Sequence, residues 1–394
     1  MQREVLLLIP RMAGGGAERV IGILADGMAQ NGCKTTLMLT SQSLADMVGY
    51  QVGDGVEVAT LLDRLPDDSA PQKLRYGWMK LTTRVWGTIC EELHFAVGDR
   101  LAYRTFLWQY HRYVTALRDY LSAHPAAEII AFLQPTVNIA LLAAEGLPNK
   151  VIISERADPA RYRLNRYMPY FARVWYPKAD WIVFQTESAR SYFPDEIRKM
   201  SSVIYNPLNP HLPEAYSGER NRTVVNFCRL TPQKNLPMLV DAFAMFLKSH
   251  PGYTLEIWGE GEIEAEVRAY IAEKGMNDTI VLHSFDGTLH ETIRQYAMFV
   301  SSSDYEGMSN SMLEALAIGL PSVCTDCPAG GARAIIRDHE NGLLTPVGDA
   351  DALCRAMAEL ADSPVLAETL SRNGAKLREE LSVGSIVQKW MELL

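Results

Sequence analysis

"MFVSSSDYEGMSNSMLEALAIGLPSVCT", residues 298 to 325, passes from an apolar run through a polar turn and a helix-period segment to a second apolar run. "MFVSSS" (298–303) reads as a strand; the chain turns at Gly307, a helix begins near Ser309 to Ser311 and runs through "MLEALAIG", and "PSVCT" (321–325) reads as the next strand. Two strands joined through a helix are the parallel βαβ unit, because a tight turn can join only antiparallel neighbours.

The same alternation extends in both directions. Towards the N-terminus of the second half lie "TVVNFC" (223–228), "YTLEIW" (253–258) and "TIVLH" (279–283). The first half carries "EVLLLI" (4–9), "KTTLML" (34–39), "EIIAFL" (128–133), "VIIS" (151–154), "WIVF" (181–184) and "SVIY" (202–205), with helices between them. The pattern predicts an α/β protein of two doubly wound, Rossmann-like domains. At 394 residues the chain exceeds the size at which one core usually splits, roughly 250 residues. "NPLNPHLPEAYSGERN", rich in proline, is the natural linker. The predicted division is therefore 1–205 as the N-terminal domain, 206–222 as linker, 223–380 as the C-terminal domain and 381–394 as a final helix. That helix, within "VGSIVQKWMELL" (383–394), either completes the second domain or crosses back to the first.

Composition narrows the class. Hydrophobic content of 48% and charged content of 22% are those of a globular protein in water. The apolar stretch at 129–144 is interrupted by Gln134, Pro135, Thr136 and Asn138, so no membrane span is expected. The apolar run after "MQRE" is too short for a signal peptide, which predicts a cytoplasmic protein. Cysteines at 33, 90, 228, 324, 327 and 354 are scattered, as reduced thiols are, and "CTDC" (324–327) has no second ligand pair. The net charge of −9 sits in the second half, whereas 150–178 is basic through Lys150, Arg156, Arg161, Arg163, Arg166, Arg173 and Lys178. The first half is thus suited to an anion or an anionic surface.

In open α/β sheets, ligands bind beyond the C-terminal strand ends, and the candidate motifs fall there. "RMAGGGAERV" (11–20) opens a helix with Gly14, Gly15 and Gly16, which permit close backbone approach to a ligand at a positive helix end. The alternative, a dinucleotide fingerprint, needs a glycine where Arg19 stands. Arg229 and Lys234, in "NFCRLTPQKN", leave one strand end together and suit the two phosphates of a nucleoside diphosphate. "IWGEGE" (257–262) offers Gly259 and Gly261 for a second close approach. Glu306 and Glu314 bracket the turn of the opening stretch, at most about 12 Å apart were all eight steps helical. That is the scale of a nucleotide sugar, with one carboxylate for the hexose and the other for the ribose. Ser311 and Glu314 also fit an S-x-x-E capping box, which would give Glu314 a structural role. Asp349 and Asp351 in "VGDADAL" read as the cap and first turn of a helix rather than a metal site, so no metal is expected.

Taken together, Arg229, Lys234, "GEGE", the E-x7-E of Glu306 and Glu314, "NGLLTPVGD" and "GGGAER" resemble the family-4 retaining glycosyltransferases of the GT-B fold. "SERADPARY" and "DCPAGGARAII" are similar to segments of bacterial members that extend lipid-linked or surface polysaccharides. The resemblance implies that Arg229 and Lys234 neutralise the donor diphosphate as it leaves, with no metal or other cofactor. It implies that Glu306 with Gly307, Met308, Ser309, Asn310 and Ser311 holds the donor sugar, that Glu314 takes the ribose, and that Ser284 and Phe285 meet the base. Gly15 and Gly16 would approach from the other domain. Where many relatives place a histidine after an N-terminal-domain strand, this chain has Glu155 and Arg156 in "IISERADP".

Glu155, Arg156, Arg161, Arg163 and Arg166 are the candidates for an acceptor bearing a lipid diphosphate. The basic and aromatic run at 73–118, with Trp78, Trp86, Phe106 and Trp108, reads either as core or as a peripheral contact with an anionic membrane on the inner face of the cell membrane. The expected partners are a nucleotide sugar, UDP-linked by default, and a glycan or lipid-linked glycan; nucleic acid is not expected from an acidic chain without a recognisable module. A nucleotide-sugar epimerase and a non-catalytic nucleotide-sugar-binding protein are the alternatives.

Overall fold

The computed structural model describes residues 2–47, 51–65, 96–156, 158–164 and 168–394, with the backbone alone for 96–100 and 162–164. Among these residues the first sheet has seven parallel strands: β1 (Glu4–Ile9), β2 (Lys34–Leu39), β3 (Val56–Thr60), β4 (Ala127–Phe132), β5 (Val151–Glu155), β6 (Trp181–Phe184) and β7 (Ser201–Val203), in the order 3-2-1-4-5-6-7. The second has six: β8 (Thr223–Phe227), β9 (Thr254–Trp258), β10 (Ile280–His283), β11 (Met298–Ser301), β12 (Ser322–Thr325) and β13 (Leu343–Thr345), in the order 10-9-8-11-12-13. Both orders reverse direction once, between β1 and β4 and between β8 and β11. Each reversal opens a crevice beyond the strand ends.

The continuous apolar runs of β1 and β4 follow from this topology, since a central parallel strand is covered on both faces. β3 and β13 were not anticipated. Both lie at sheet edges, where "VEVAT" buries only part of its length and "LLT" is three residues long among turn formers, so neither leaves an apolar run to read.

Three hydrophobic cores result. One lies on the outer face of the first sheet and another on the outer face of the second. The third is continuous between the sheets, joining Val5, Leu7 and Ile9 to Phe227, Met312 and Leu316 through Leu208 and Leu212. Residues 206–222 are therefore pinned rather than loose: the Leu208 amide donates to Leu381 O at 2.9 Å and Arg220 Nη1 donates to Arg294 O at 2.9 Å. The helix Val383–Met391 packs on the first sheet. Val387 presses on Gly27, Trp390 is fully buried against Phe132 with ring centroids 5.7 Å apart, and Lys150 Nζ reaches Leu394 O at 3.4 Å.

The helix Ala96–Ala123 buries Phe106, Leu117 and Leu121 in the outer core of the first sheet. Phe106 is thus a core residue and not a membrane anchor, as its i, i+4 ring partner Tyr110 at 4.6 Å and its contact with Phe171 indicate. Trp108 is half-buried, and Trp78 and Trp86 lie outside the described residues. Among the described residues no helix is long and apolar enough to cross a membrane.

Candidate active site

Three loops leave the reversal points of the two sheets and face one another. After β1, Gly14 adopts φ +81° and Gly15 caps the helix Gly16–Gln30; Glu18 folds back to accept from the Ala13 amide at 2.7 Å and the Gly15 amide at 2.6 Å. After β8, a turn over Pro232–Lys234 leads to Asn235, whose left-handed backbone and side chain start the helix Leu236–Ser249. After β11, Ser309 caps the helix Asn310–Ala317 by accepting from the Met312 amide. Cross-links fix the last two loops together: Gln233 Nε2 donates to Tyr305 O at 2.7 Å, Asn235 Nδ2 to Asp304 Oδ1 at 2.7 Å, and Ser302 Oγ to Lys234 O at 2.8 Å.

Between the sheets these loops enclose a cavity of about 820 Å³, within the usual range for small-ligand sites. Lys234 and Glu306 form a largely buried ion pair in its wall, and Ser303 Oγ donates to Glu306 Oε1 at 3.1 Å. Burial pushes the Lys234 ammonium down, and the charge and hydrogen bond of Glu306 outweigh this and raise it above its ordinary value. Arg229 is exposed to the cavity and has no hydrogen-bond or ion-pair partner among the described residues; its guanidinium stands against Gly15, 2.9 Å from where a Cβ would be. Glu314 is buried and pairs with two groups: Arg19, from the helix of the first domain, and His290 Nε2 at 2.9 Å.

Of the residues anticipated from sequence, Gly15, Gly16, Arg229, Lys234, Phe285, Glu306, Gly307, Met308, Ser309, Asn310, Ser311, Glu314, Arg156 and Arg161 line this cavity. Others do not. A Cβ on Gly259 would lie 1.8 Å from Cys228 O, and one on Gly261 2.1 Å from Leu230 O, so these glycines let the chain pack on itself behind the cavity. Ser284 is off the wall. Glu155 is buried away from it, accepting from Tyr176 Oη at 2.6 Å and the Arg156 amide at 3.0 Å. The Arg163 side chain and Arg166 lie outside the described residues. The Ser311–Glu314 capping box is absent, because Ser309 caps the helix and Glu314 points across the cleft. Asp349 does cap the helix Ala350–Asp362, accepting from the Ala352 amide at 2.7 Å.

Sequence reading missed Arg19, His290 and the amides that stitch the cleft floor. Asn206 Nδ2 donates to Asn310 Oδ1 at 2.7 Å, Asn310 Nδ2 donates to Gly16 O at 3.2 Å, and Asn206 Oδ1 accepts from Arg156 and from Gln185 Nε2. Arg19 carried a usable signal, since it lies four positions from Gly15 and shares its helix face. Arg156 packs over Phe132 at 4.3 Å and Arg161 over Tyr305 at 3.6 Å. Burial pushes the Arg156 guanidinium down to about 9, with Glu155 holding it up in part, which leaves it charged at neutral pH. Burial also raises the thiols of Cys228, at the cavity wall, and Cys327, to about 12 and about 11, and that of Cys324, which favours the neutral thiol in all three. Among the described residues no group of three or more His, Cys, Asp or Glu is placed to hold a metal.

Comparison with known proteins is decisive for the second half, where the model of the family "Glycosyl transferases group 1" matches. Residues 214–377 are a glycosyltransferase group 1 domain. The group 1 domain thus contains Arg229, Lys234, Glu306 and Glu314, while Arg19 reaches it from outside. The chain is 25% identical over 396 residues to a Campylobacter jejuni N-acetyl-D-galactosaminyltransferase named for a diNAcBac-PP-undecaprenol glycan, a match covering 99% of this chain and 98% of that protein. It is 29% identical over 255 residues to a Streptomyces coelicolor exopolysaccharide phosphotransferase, covering 64% of this chain but only 27% of that protein. The first curated relatives are matched over well under half their length, 27% and 42%. Among solved structures, S. aureus TarM in complex with Fondaparinux, alpha-GlcNAc-glycerol and UDP superposes with a TM-score of 0.71 over 100% of this chain and 99% of that one, at 12% identity. The fold is GT-B, two Rossmann-like parallel-sheet domains.

Proposed function

We propose that the chain is a retaining glycosyltransferase that moves a hexose or N-acetylhexosamine from a nucleotide sugar, UDP-linked by default, to a polyprenyl-diphosphate-linked or surface glycan, without a metal. The observation that carries the reading is one cavity in which Arg229 and the Lys234–Glu306 pair meet Glu314 at the strand-order reversals of both sheets. Arg229 and Lys234 supply positive charge where a diphosphate leaves, so the charge that a metal would otherwise carry is already present. Glu306, beside the amides of the loop before Asn310, faces the sugar, and the exposed ring of Phe285 offers a stacking surface for the base.

In the proposed step the anomeric carbon–oxygen bond to phosphate breaks while the acceptor oxygen bonds to the same face. The acceptor proton passes to the departing phosphate oxygen. Arg156 and Arg161, which line the cavity from the first domain, suit an anionic acceptor, and the relative named for an undecaprenol-linked glycan supports that class. An acceptor on a lipid carrier would bring the protein to the inner membrane surface, read as preference for anionic over neutral vesicles in flotation.

The test is nucleoside-diphosphate release across UDP-, GDP- and TDP-sugars, with and without bacterial lipid-linked glycan, in EDTA, with the product anomer read by NMR. Release that needs one donor and the lipid acceptor, survives EDTA, gives the retained anomer and falls about 10²–10³-fold in Glu306→Ala and Arg229→Ala is expected. Donor conversion without acceptor, or binding without turnover on any acceptor, would overturn the reading.

A further inference from the structure

Glu314 is the group that the nucleotide-sugar reading assigns to the donor ribose, and in the structure one of its oxygens belongs to Arg19 of the other domain. A ribose hydroxyl that approaches that oxygen from the cavity competes with the guanidinium for it. Where the guanidinium would then go follows from the geometry. Arg19 and Gly15 are four residues apart on one helix face, with Arg19 N bonded to Gly15 O at 3.0 Å, and Arg229 stands against Gly15. Arg19 and Arg229 therefore line the same cavity, Arg229 at Gly15 and Arg19 one helical turn on, and an anion bound at this helix start attracts both guanidiniums.

We propose that Arg19 is a donor-binding residue that exchanges partners: the ribose takes its place on Glu314, and the released guanidinium joins Arg229 on the diphosphate. Three features make the exchange feasible. The Arg19 side chain is 27% exposed against 3% for Glu314, so it can turn while the carboxylate stays fixed. His290 keeps its bond of 2.9 Å to the other oxygen, so Glu314 is never left buried without a partner. The Asn206–Asn310–Gly16 chain of hydrogen bonds holds the two loops in register, so only the side chain moves. The donor's nucleoside and diphosphate are thereby sensed together, by one residue of the opposite domain. The inference rests on the nucleotide-sugar reading given above.

The experiment is NMR titration, which reaches millimolar affinities, of the full chain and its Arg19→Gln and Arg19→Lys variants with uridine and UDP, repeated with guanosine and GDP. Exchange predicts that Arg19→Gln weakens the nucleoside diphosphate about tenfold or more while the nucleoside binds equally or more tightly, and that Arg19→Lys retains most of the diphosphate affinity. Loss of both ligands by one common factor, or of neither, would overturn the exchange and make Arg19 a strut between domains. Binding of neither diphosphate to the unaltered chain would overturn the nucleotide-sugar reading, and this assignment with it.

Discussion

A methyl group on Gly261 would stand 2.1 Å from the Leu230 carbonyl oxygen, against the backbone of Leu230 with no flexible side chain to yield. Gly261→Ala is expected to destabilise the fold by about 1–3 kcal/mol, read from a denaturation midpoint, and to leave nucleotide affinity of the folded fraction unchanged. Weakened binding at an unchanged midpoint would return this glycine to the donor site. Gly307 differs in kind. Its missing Cβ would meet Gln185 Oε1 at 2.7 Å and Arg156 O at 3.0 Å, both in the opposite domain, so its small size lets the loop after β11 touch the first domain. Two glycines that look alike in sequence thus serve packing within a domain and contact between domains.

At the scale of the element, the helix Ala350–Asp362 tests the reading of a D-x-D spacing. Asp349 satisfies the first-turn Ala352 amide, as a cap does, and Asp351 lies in that turn. Asp349→Ala should lower stability by about 1 kcal/mol in thermal melts, with or without Mg²⁺. A Mg²⁺-dependent stabilisation lost in the variant would instead make the pair a metal site. The same scale shows what was legible in the sequence. β1 and β6 could be bounded to the residue because strands covered on both faces leave nearly continuous apolar runs, and β2 because Thr35 and Thr36, both β-branched, lead into "LML". β3 and β13 could not, because an edge strand buries too little. Arg229, Lys234 and Glu306 were legible as a set, since all three lie in the loops that leave the C-terminal ends of β8 and β11, whereas the Arg229 and Lys234 pair alone would read equally as solvated charge. His290 was not, and Arg19 could be placed only on the Gly15 face of its helix, because their shared partner Glu314 lies 24 and 295 residues away, a proximity created only by folding.

For the molecule as a whole, the return of the last helix is the governing feature. Trp390 is 1% exposed and belongs to the core that runs between the sheets, although it lies more than 160 residues beyond the start of the second domain's first strand. Trp390→Ala is expected to cost about 3–5 kcal/mol and to expose the first domain, not the second, to protease. Selective digestion of the second domain would refute this. A chain stopped before Val383 should show the same weakness in its first half. Proteins usually settle domain by domain in the order of synthesis, at about 5–20 residues per second. Here the N-terminal sheet is made first yet is sealed last: for the time taken to translate some two hundred further residues, the faces of Val20, Leu24 and Phe132 wait for a wedge that the ribosome has not yet delivered.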